Sequence, residues 1–435
     1  MAGEWREVPI GELAEIFDGP HATPPKTSDG PVFLGISNLS NGRITLGTAE
    51  HLSEDDHKRW TLRVEPQAGD VVFSYETRLG EAALIPSNLR CCLGRRMGLL
   101  RARRGKVDNR FLLYAYLGPP FQETLRSRTI HGSTVNRIPL IDMPRFPIAV
   151  PESLDEQRAI AHILGTLDDK IELNRRMSET LEAIARALFK SWFVDFDPVR
   201  AKAEGSDPGL PKTLADLFPA RLVDSELGEI PEGWEAKPLG DWVDALSGGT
   251  PSKAEVRYWR GDVPWISPKV MTAIHADEAD AHVDESAIGN GTRLAPALST
   301  LVMVRGMGLH ESVRVSQARR EVTFNQDVKA LVGARIEPTL LLFALLGSQP
   351  ALLERVESSG HGTGKLPSEV LLALPVTMPD IAAQERLSEQ LRTLNDRIAS
   401  TRAESRTLAA LRDTLLPKLI SGKLRAPFRH AECEV

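Results

Sequence analysis

The chain has 435 residues and a formal net charge of −6. This length exceeds what one hydrophobic core supports and predicts two or three domains. The acidic balance argues against non-specific polyanion binding by the whole molecule, although it leaves room for local basic patches. Three cysteines, Cys91, Cys92 and Cys433, lack the spacing of a disulfide framework or a zinc site, which fits a reducing cytoplasm.

We expect a cytoplasmic protein with no membrane segment. The first residues, MAGEWREVPI, show no basic stretch followed by an apolar one, as a secretory signal would. The longest apolar run, residues 340–346, is far too short to cross a bilayer.

The first block, residues 1–151, is patterned as short strands broken by glycine and proline. The strongest strand candidates are residues 71–75 and 97–101, and residues 111–117 are a helix candidate. This mixture predicts an α+β domain.

A long amphipathic helix is predicted over residues 152–196, after a break at Pro147 and Pro151. Ser153 or Asp155 is placed to cap it. Its apolar residues recur at spacings of three, four and seven, which is the stripe of a helix that packs on a partner helix. The stripe consists of Ile160, Leu164, Leu167, Ile171, Leu181, Ile184 and Leu188.

Residues 197–232 are predicted to form a linker, because Pro, Gly, Ser and charged residues surround one short apolar patch. The second block, residues 233–379, repeats the pattern of the first. Its strand candidates are residues 301–304 and 327–332, and residues 340–346 are a helix candidate.

A second long helix, residues 380–424, is followed by a short tail, residues 425–435. Its stripe repeats the first at a constant offset of 227 positions, and Thr401 matches Asn174. A polar residue in such a seam costs stability but fixes register. We therefore predict that the two helices pack against each other. The predicted seam comprises Leu164, Leu167, Ile171, Asn174, Leu181, Leu391, Leu394, Ile398, Thr401 and Leu408.

The whole chain has the pattern of a tandem duplication. Trp5, near the start, is echoed by Trp234, and each is followed by a proline and a Gly-acid pair. His131-Gly132-Ser133 is echoed by His361-Gly362-Thr363. The repeated unit is a globular block followed by a long helix.

Two segments imitate catalytic motifs. Gly118-Pro119-Pro120-Phe121 resembles the tetrapeptide of amino-methyltransferases, but glycine has no side chain to accept a hydrogen bond from the target amine. Residues 360–365 resemble a phosphate loop, but Leu366 stands where a magnesium-binding Ser or Thr is needed. The ten histidines show no metal-ligand spacing, and no catalytic triad can be assembled. We predict a non-catalytic chain without a metal site or a cofactor.

Charged residues are the clearest binding signal. Eight Arg or Lys residues lie between Arg90 and Arg110, against the single acid Asp108. Such a run is often only a solvated surface, but arginine suits bidentate contact with guanine edges and phosphates. Nearby turns rich in Gly, Ser and Thr could donate backbone and hydroxyl hydrogen bonds to phosphate. The same residues are also common in turns that bind nothing. The candidate DNA contacts are Thr23, Lys26, Arg78, Arg95, Arg96, Ser133, Arg137, Thr250, Ser252, Lys253, Lys269, Arg305, Thr363 and Lys365. The acids Glu156, Asp168 and Asp169 are interpreted as solvated charge on an exposed helix face.

Several stretches resemble the specificity subunit of Type I restriction–modification systems. The resemblance covers nearly the whole chain and is looser within the globular blocks, as expected for a family whose blocks differ with the DNA sequence read. These stretches are residues 155–161 (DEQRAIA), 167–174 (LDDKIELN), 191–199 (SWFVDFDPV), 227–234 (LGEIPEGW), 261–266 (GDVPWI), 325–329 (NQDVK) and 415–424 (LLPKLISGKL).

The resemblance implies an α+β fold with two tandem mixed α/β target-recognition domains, each followed by a long helix. The two helices would pair as an antiparallel coiled coil. Each domain would read one half of a split site in double-stranded DNA. A helix of about 40 residues runs roughly 60 Å, well over one duplex turn of about 34 Å, so the two domains would reach successive major grooves.

The same resemblance implies partners. The helices would dock two methyltransferase (modification) subunits, and motor–nuclease subunits would join for cleavage. S-adenosylmethionine, ATP and magnesium are then expected in those partners and not in this chain. Two other interpretations remain open: a stand-alone DNA-modifying enzyme with built-in recognition domains, and a coiled-coil adaptor without DNA contact.

Overall fold

The computed structural model describes residues 4–20, 23–47, 49–132, 135–226, 228–276, 278–358 and 362–427. Contacts divide the chain into two units. Unit 1 is Met1–Leu173 with Glu404–Val435, and unit 2 is Asn174–Ala403. Both contain strands and helices, so the prediction of a mixed α+β fold is confirmed.

Unit 1 is built on a four-stranded antiparallel sheet in the order Ala14–Asp18, Met97–Ala102, Val71–Ser74, Ala82–Leu84. A three-stranded sheet places Thr27–Leu34 antiparallel to Glu50–His51 and parallel to Cys91–Leu93. Trp5–Pro9 pairs with Pro147–Pro151, and Leu39–Ser40 pairs with Arg43–Ile44. Its helices besides the long ones are Ile10–Leu13, Glu54–Trp60, Asn109–Leu117 and Pro119–Arg128, with 3₁₀ turns at Ile36–Asn38 and Met143–Arg145.

Unit 2 repeats this arrangement. Its corresponding four-stranded sheet has the order Val243–Ser247, Val328–Gly333, Thr300–Met303, Val315–Gln317. A second sheet has the strand order His282–Val283, Val263–Ile266, Val322–Phe324, Leu294–Ala295. Its two central strands are parallel, and each outer strand is antiparallel to its neighbour. Glu235–Pro238 pairs with Pro375–Met378, as Trp5–Pro9 pairs with Pro147–Pro151 in unit 1. The duplication seen in the sequence is therefore a duplication of topology.

Unit 2 also contains shorter elements. Arg305–Gly306, Gly364–Lys365 and Glu357–Ser358 form a small sheet, and Leu222–Ser225 pairs with Gly228–Pro231. Its shorter helices are Asp197–Ala203, Lys212–Ala215, Pro338–Gly347, Gln349–Leu353 and Ser368–Leu372, with 3₁₀ turns at Leu239–Asp241, Val256–Trp259, Glu285–Ala287 and Met307–His310.

Two long helices complete the fold, the central helix Leu154–Phe193 and the C-terminal helix Ile381–Ile420. In unit 1, Ile160 and Leu164 of the central helix share one buried core with Leu419 and Ile420. In unit 2, the later half of the central helix shares a core with the first half of the C-terminal helix, including Leu387. The two helices therefore pack together in antiparallel directions, as predicted.

The segment predicted to be a linker, residues 197–232, is folded more extensively than its composition indicates. Phe218 is 2% exposed and packs edge-on against Trp192, and its ring also stacks on Trp234. Val199 is fully buried in the same core. A few aromatic side chains thus bind a Pro- and Gly-rich segment into unit 2.

No helix within the described ranges has the length and apolarity needed to cross a membrane.

Candidate nucleic-acid interface

A buried glutamine near the start of each long helix ties that helix to its own globular block. The Gln157 amide accepts from the Asp108 backbone N–H at 2.9 Å and donates to the Pro151 carbonyl at 2.9 Å. Gln384 accepts from the Glu337 N–H and donates to the Pro379 carbonyl, both at 2.9 Å. The two glutamines are 227 positions apart, so the repeat offset identifies them in the sequence, although our site prediction missed them.

Asp108 and Glu337 in turn cap the helices Asn109–Leu117 and Pro338–Gly347. Each carboxylate accepts from two backbone N–H groups of the first turn, at 2.7 to 3.0 Å. These caps satisfy donors that a helix leaves open at its start. The position of the globular block on the long helix is therefore defined by paired hydrogen bonds in both units.

Asp168 connects three parts of unit 1. Its carboxylate accepts from the Tyr114 hydroxyl at 2.6 Å and from the Arg412 guanidinium at 2.9 Å, and Arg43 donates to its backbone carbonyl at 2.6 Å. Burial, with the Asp168 charge as a second cause, raises the pKa of Tyr114 above its usual range. The interpretation of Asp168 as solvated charge is wrong, because it joins the block, the central helix and the C-terminal helix.

Asn395 holds the equivalent position in unit 2. Its amide is bonded to His275 at 2.8 Å and donates to Gln317 at 2.9 Å. The next residue in each helix is an aspartate that pairs with an arginine of the block: Asp169 with Arg110 at 2.6 Å, and Asp396 with Arg319 at 2.5 Å. The connection thus centres on a carboxylate, Asp168, in unit 1 and on a side-chain amide, Asn395, in unit 2.

Arg110 also lies close to the backbone of the central helix at Gly165. Its guanidinium donates to the Gly165 carbonyl at 3.0 Å, and a Cβ atom at Gly165 would lie 2.4 Å from the Arg110 Cζ. A larger residue at this position would move the Arg110 guanidinium away from the helix backbone.

Glu156, also interpreted as solvated, is buried. Its side chain is 1% exposed and pairs with Arg425, beyond the end of the C-terminal helix, at 2.7 Å. Gly422 packs against the Trp5 indole and Ala426 is buried in the unit 1 core. The described part of the predicted tail is therefore anchored to the first block.

Most arginines of the basic run between Arg90 and Arg110 have structural partners. Arg90 binds both oxygens of Glu54 at 2.6 and 2.7 Å, and Arg101 binds both oxygens of the buried Asp70 at 3.0 and 2.7 Å. Arg103 pairs with Glu15 at 3.1 Å. We interpreted the arginines of this run as suited to bidentate contact with DNA. Arg90 and Arg101 instead make their bidentate contacts with carboxylates of unit 1.

The DNA-contact candidates of the first block form one group and several separate residues. Glu76 lies at the centre of the group: Arg96 pairs with it at 3.0 Å and Arg137 bridges to its backbone. Arg78, two positions on, pairs with Glu81 at 3.3 Å.

The remaining first-block candidates are more dispersed. Lys26 pairs with Glu50 at 2.7 Å and lies over the Phe33 ring. Thr23 and Arg95 are exposed, and Arg95 has no ion pair with any described residue. Ser133 lies outside the described residues.

In unit 2, Arg305 and Lys365 lie opposite each other on paired strands. They line a cleft of about 270 Å³ together with Lys329, whose Nζ donates to the Ser247 hydroxyl at 2.9 Å. Gln326, which also lines this cleft, accepts from the Thr250 hydroxyl at 2.7 Å. Lys329 lines the same cleft as two of the candidates, although our candidate set omitted it.

The other second-block candidates are separate from this cleft. Lys269 pairs with Asp280. The Ser252 carbonyl accepts from the Trp259 indole at 3.2 Å, and Lys253 is exposed. The Thr363 hydroxyl lies 3.8 Å from the Met307 sulfur.

The predicted seam residues divide between the units. Asn174 donates to the Thr401 carbonyl at 3.5 Å, inside unit 2. Leu164, Asn174, Leu391, Ile398 and Thr401 are buried, whereas Leu167, Ile171, Leu181, Leu394 and Leu408 are partly buried. Two further members of the repeated stripe, Ile184 and Leu411, are exposed by 49% and 45%.

Among the residues that the structure describes, no group of three or more His, Cys, Asp and Glu side chains is placed to hold a metal ion.

This geometry is that of a duplicated binding scaffold, with matched blocks tied to one helix pair. The sequence model of the Type I restriction modification DNA specificity domain matches residues 2–183 and 231–409. The chain therefore belongs to this family.

Individual relatives are more distant. The chain is 27% identical over 340 residues to the Type I restriction enzyme HindI specificity subunit of Haemophilus influenzae, covering 67% of this chain and 72% of that protein. It is 25% identical over 380 residues to the MjaIX specificity subunit of Methanocaldococcus jannaschii, covering 86% and 82%. The fold is similar to a crystal structure of a Type I restriction–modification S subunit from M. genitalium, with a TM-score of 0.59, 17% identity and 96% coverage of both chains.

Proposed function

We propose that this member of the specificity-subunit family binds a split site in double-stranded DNA, with one half-site read by each globular block. One observation carries the proposal. The blocks share a sheet order and are tied to the helix pair by equivalent residues, Gln157 with Gln384 and Asp168 with Asn395. A duplicated reader on a common scaffold suits a target made of two parts.

The basic cleft around Arg305, Lys329 and Lys365 is a candidate contact surface of the second block. Three cations around a polar cleft suit phosphate oxygens or base edges. In the first block, Arg96 and Arg137 beside Glu76 are the corresponding candidates. The residues around the two clusters differ, which is what different half-sites require.

Two copies of a methyltransferase subunit are the proposed partners of the helices. Ile184 in unit 2 and Leu411 in unit 1 are equivalent in the repeat, and each exposes nearly half of its side chain. Equivalent apolar contacts, one in each unit, suit two copies of one partner. Motor–nuclease subunits would complete the complex, which would act on DNA in the cytoplasm.

Catalysis belongs, in this proposal, to the partners. Adenine methylation would use S-adenosylmethionine in the methyltransferase subunits, and cleavage would use ATP and magnesium in the motor–nuclease subunits. This chain would contribute recognition and assembly.

Selection from random duplex DNA tests the proposal. The chain, purified with its methyltransferase partner, is expected to enrich two fixed sequences separated by a spacer of constant length. Exchange of residues 233–379 for the block of another specificity subunit should replace one of these sequences and leave the other unchanged. Enrichment of a single undivided sequence, or of none, would contradict the proposal.

A further inference from the structure

The last turn of the helix Glu54–Trp60 and the loop that follows it, residues 59–63 of unit 1, combine exposed arginines with an exposed leucine. Arg59 and Arg63 are exposed, and neither has an ion pair with any residue in the described part of the chain. Leu62, between them, is 85% exposed. This contrasts with Arg90 and Arg101, whose guanidinium groups are taken up by carboxylates.

The helix that leads into this loop is fixed at two points. Glu54, at its start, is held by the two terminal guanidinium nitrogens of Arg90. The ring of His57 is buried and lies 3.2 Å from the Cys91 carbonyl oxygen. The helix is therefore anchored to the strand Cys91–Leu93.

The segment that follows the loop is fixed as well. Arg101 donates to the Glu65 carbonyl at 2.8 Å while its guanidinium also binds Asp70. Arg90 thus holds the chain before the loop, and Arg101 holds the chain after it. The backbone of such an anchored loop loses little conformational entropy on binding.

A cleft of about 260 Å³ lies beside the loop. Its lining includes the apolar side chains of Pro20, Trp60, Val64 and Leu93, together with Asp18. The Trp60 indole N–H is buried and has no hydrogen-bond partner among the described residues. Arg95, two positions beyond Leu93, adds another exposed cation without a described carboxylate partner.

We propose that residues 59–63 are a DNA contact of the first block, in which Arg59 and Arg63 bind phosphates and Leu62 packs against a base. The inference rests on the proposed function and adds a DNA-contacting surface on the first block. Cations without carboxylate partners complement the duplex backbone, and an apolar side chain between them is suited to a thymine methyl group or an exposed base step.

The test uses the full chain with its methyltransferase partner and the duplex target found by selection. Leu62→Ala should weaken target binding about tenfold, with little change in binding to a random duplex. Arg59→Ala with Arg63→Ala should weaken binding to both duplexes and reduce the slope of log K against log salt by about 1.8, since each phosphate contact contributes about 0.9.

Ile141→Ala provides a matched control, because Ile141 is 87% exposed in the same unit and should leave both affinities unchanged. Unchanged binding by the Leu62 and arginine variants, beside a wild-type complex that binds its target, would overturn this inference and leave the proposed function intact. A wild-type complex that selects no sequence would instead overturn the proposed function.

Discussion

Asp168 and Asn395 occupy equivalent positions in the two long helices, and each is hydrogen-bonded to its own globular block. Asp168 accepts from the Tyr114 hydroxyl at 2.6 Å, and the Asn395 amide lies 2.8 Å from the His275 ring nitrogen. The two units therefore connect helix and block at the same position, but with a carboxylate in unit 1 and an amide in unit 2. In unit 1 the carboxylate also neutralises Arg412, which is only 17% exposed.

Asp168→Asn is expected to destabilise unit 1, although it supplies the residue type found in unit 2. The partly buried Arg412 would lose its charged partner on the central helix and keep only Asp413, and we expect a cost of about 1–3 kcal/mol in the free energy of unfolding. Urea denaturation of the purified chain measures this. Asp155→Asn, which breaks an exposed ion pair with Arg158, should cost well under about 1 kcal/mol. Equal effects of the two substitutions would show that the Asp168 connection is not structural.

Arg101→Ala and Arg95→Ala should separate structural arginines from binding arginines. Arg101 binds the buried Asp70, so its loss should lower the free energy of unfolding by about 1–3 kcal/mol. Arg95 is exposed, and its loss should leave stability unchanged while weakening DNA binding and lowering its salt dependence. Thermal denaturation and binding titrations of both variants provide the comparison. Loss of stability in Arg95→Ala, with loss of DNA binding alone in Arg101→Ala, would refute the distinction.

The thiols of Cys91 and Cys92 make unit 1 sensitive to alkaline pH. Burial raises the pKa of each from 9.0 to about 12. Because the folded pKa is the higher one, the folded state holds the protons more tightly, and stability is complete below the unfolded pKa and is lost as pH rises toward about 12. We expect the free energy of unfolding to fall steadily above about pH 9.

Thiol labelling checks the same point directly. With Cys433→Ser removing the remaining thiol, the native chain should react with a thiol reagent only slowly near pH 8, and rapidly once denatured. Fast labelling of the native protein would mean that these cysteines are accessible and that their pKa values are not raised by burial.

Ile184→Asp and Leu411→Asp test the proposed docking of two partner copies. Both side chains are exposed, so each substitution should leave the fold intact while placing a charge in an apolar contact. Each single variant should lose one methyltransferase subunit and the double variant both, as measured by native mass spectrometry of the co-purified complex. Ala183→Ser, at the exposed position beside Ile184, is the control and should retain both. Full occupancy in the double variant would exclude these residues from the interface.

Much of the architecture is predictable from sequence because it depends on periodicity. The C-terminal helix spans Ile381–Ile420, which includes the whole repeated stripe, and the strands Val71–Ser74 and Met97–Ala102 lie where the apolar runs are. Periodicity also fails in a definable way. Ile184 and Leu411 have the spacing of the buried stripe but are exposed, since spacing alone does not show how wide a face of the helix its neighbours cover.

The site was less predictable because it depends on pairing between distant residues. The attraction of Arg101 to Asp70 or of Arg110 to Asp169 is invisible in a local count of charges. The burial of Phe218 likewise depends on Trp192 and Trp234, far from it in the chain. The repeat offset pairs Gln157 with Gln384 in the sequence, but their burial and their bonds to the blocks are visible only in the structure.

The central claim is best tested by mapping DNA methylation across the genome of a host that carries this chain and its methyltransferase partner, against the same host lacking this gene. We predict that one split motif with methylated adenine is present in the first host and disappears in the second. A methylation pattern unchanged by the deletion, with the methyltransferase shown to be expressed, would contradict the assignment of sequence recognition to this chain.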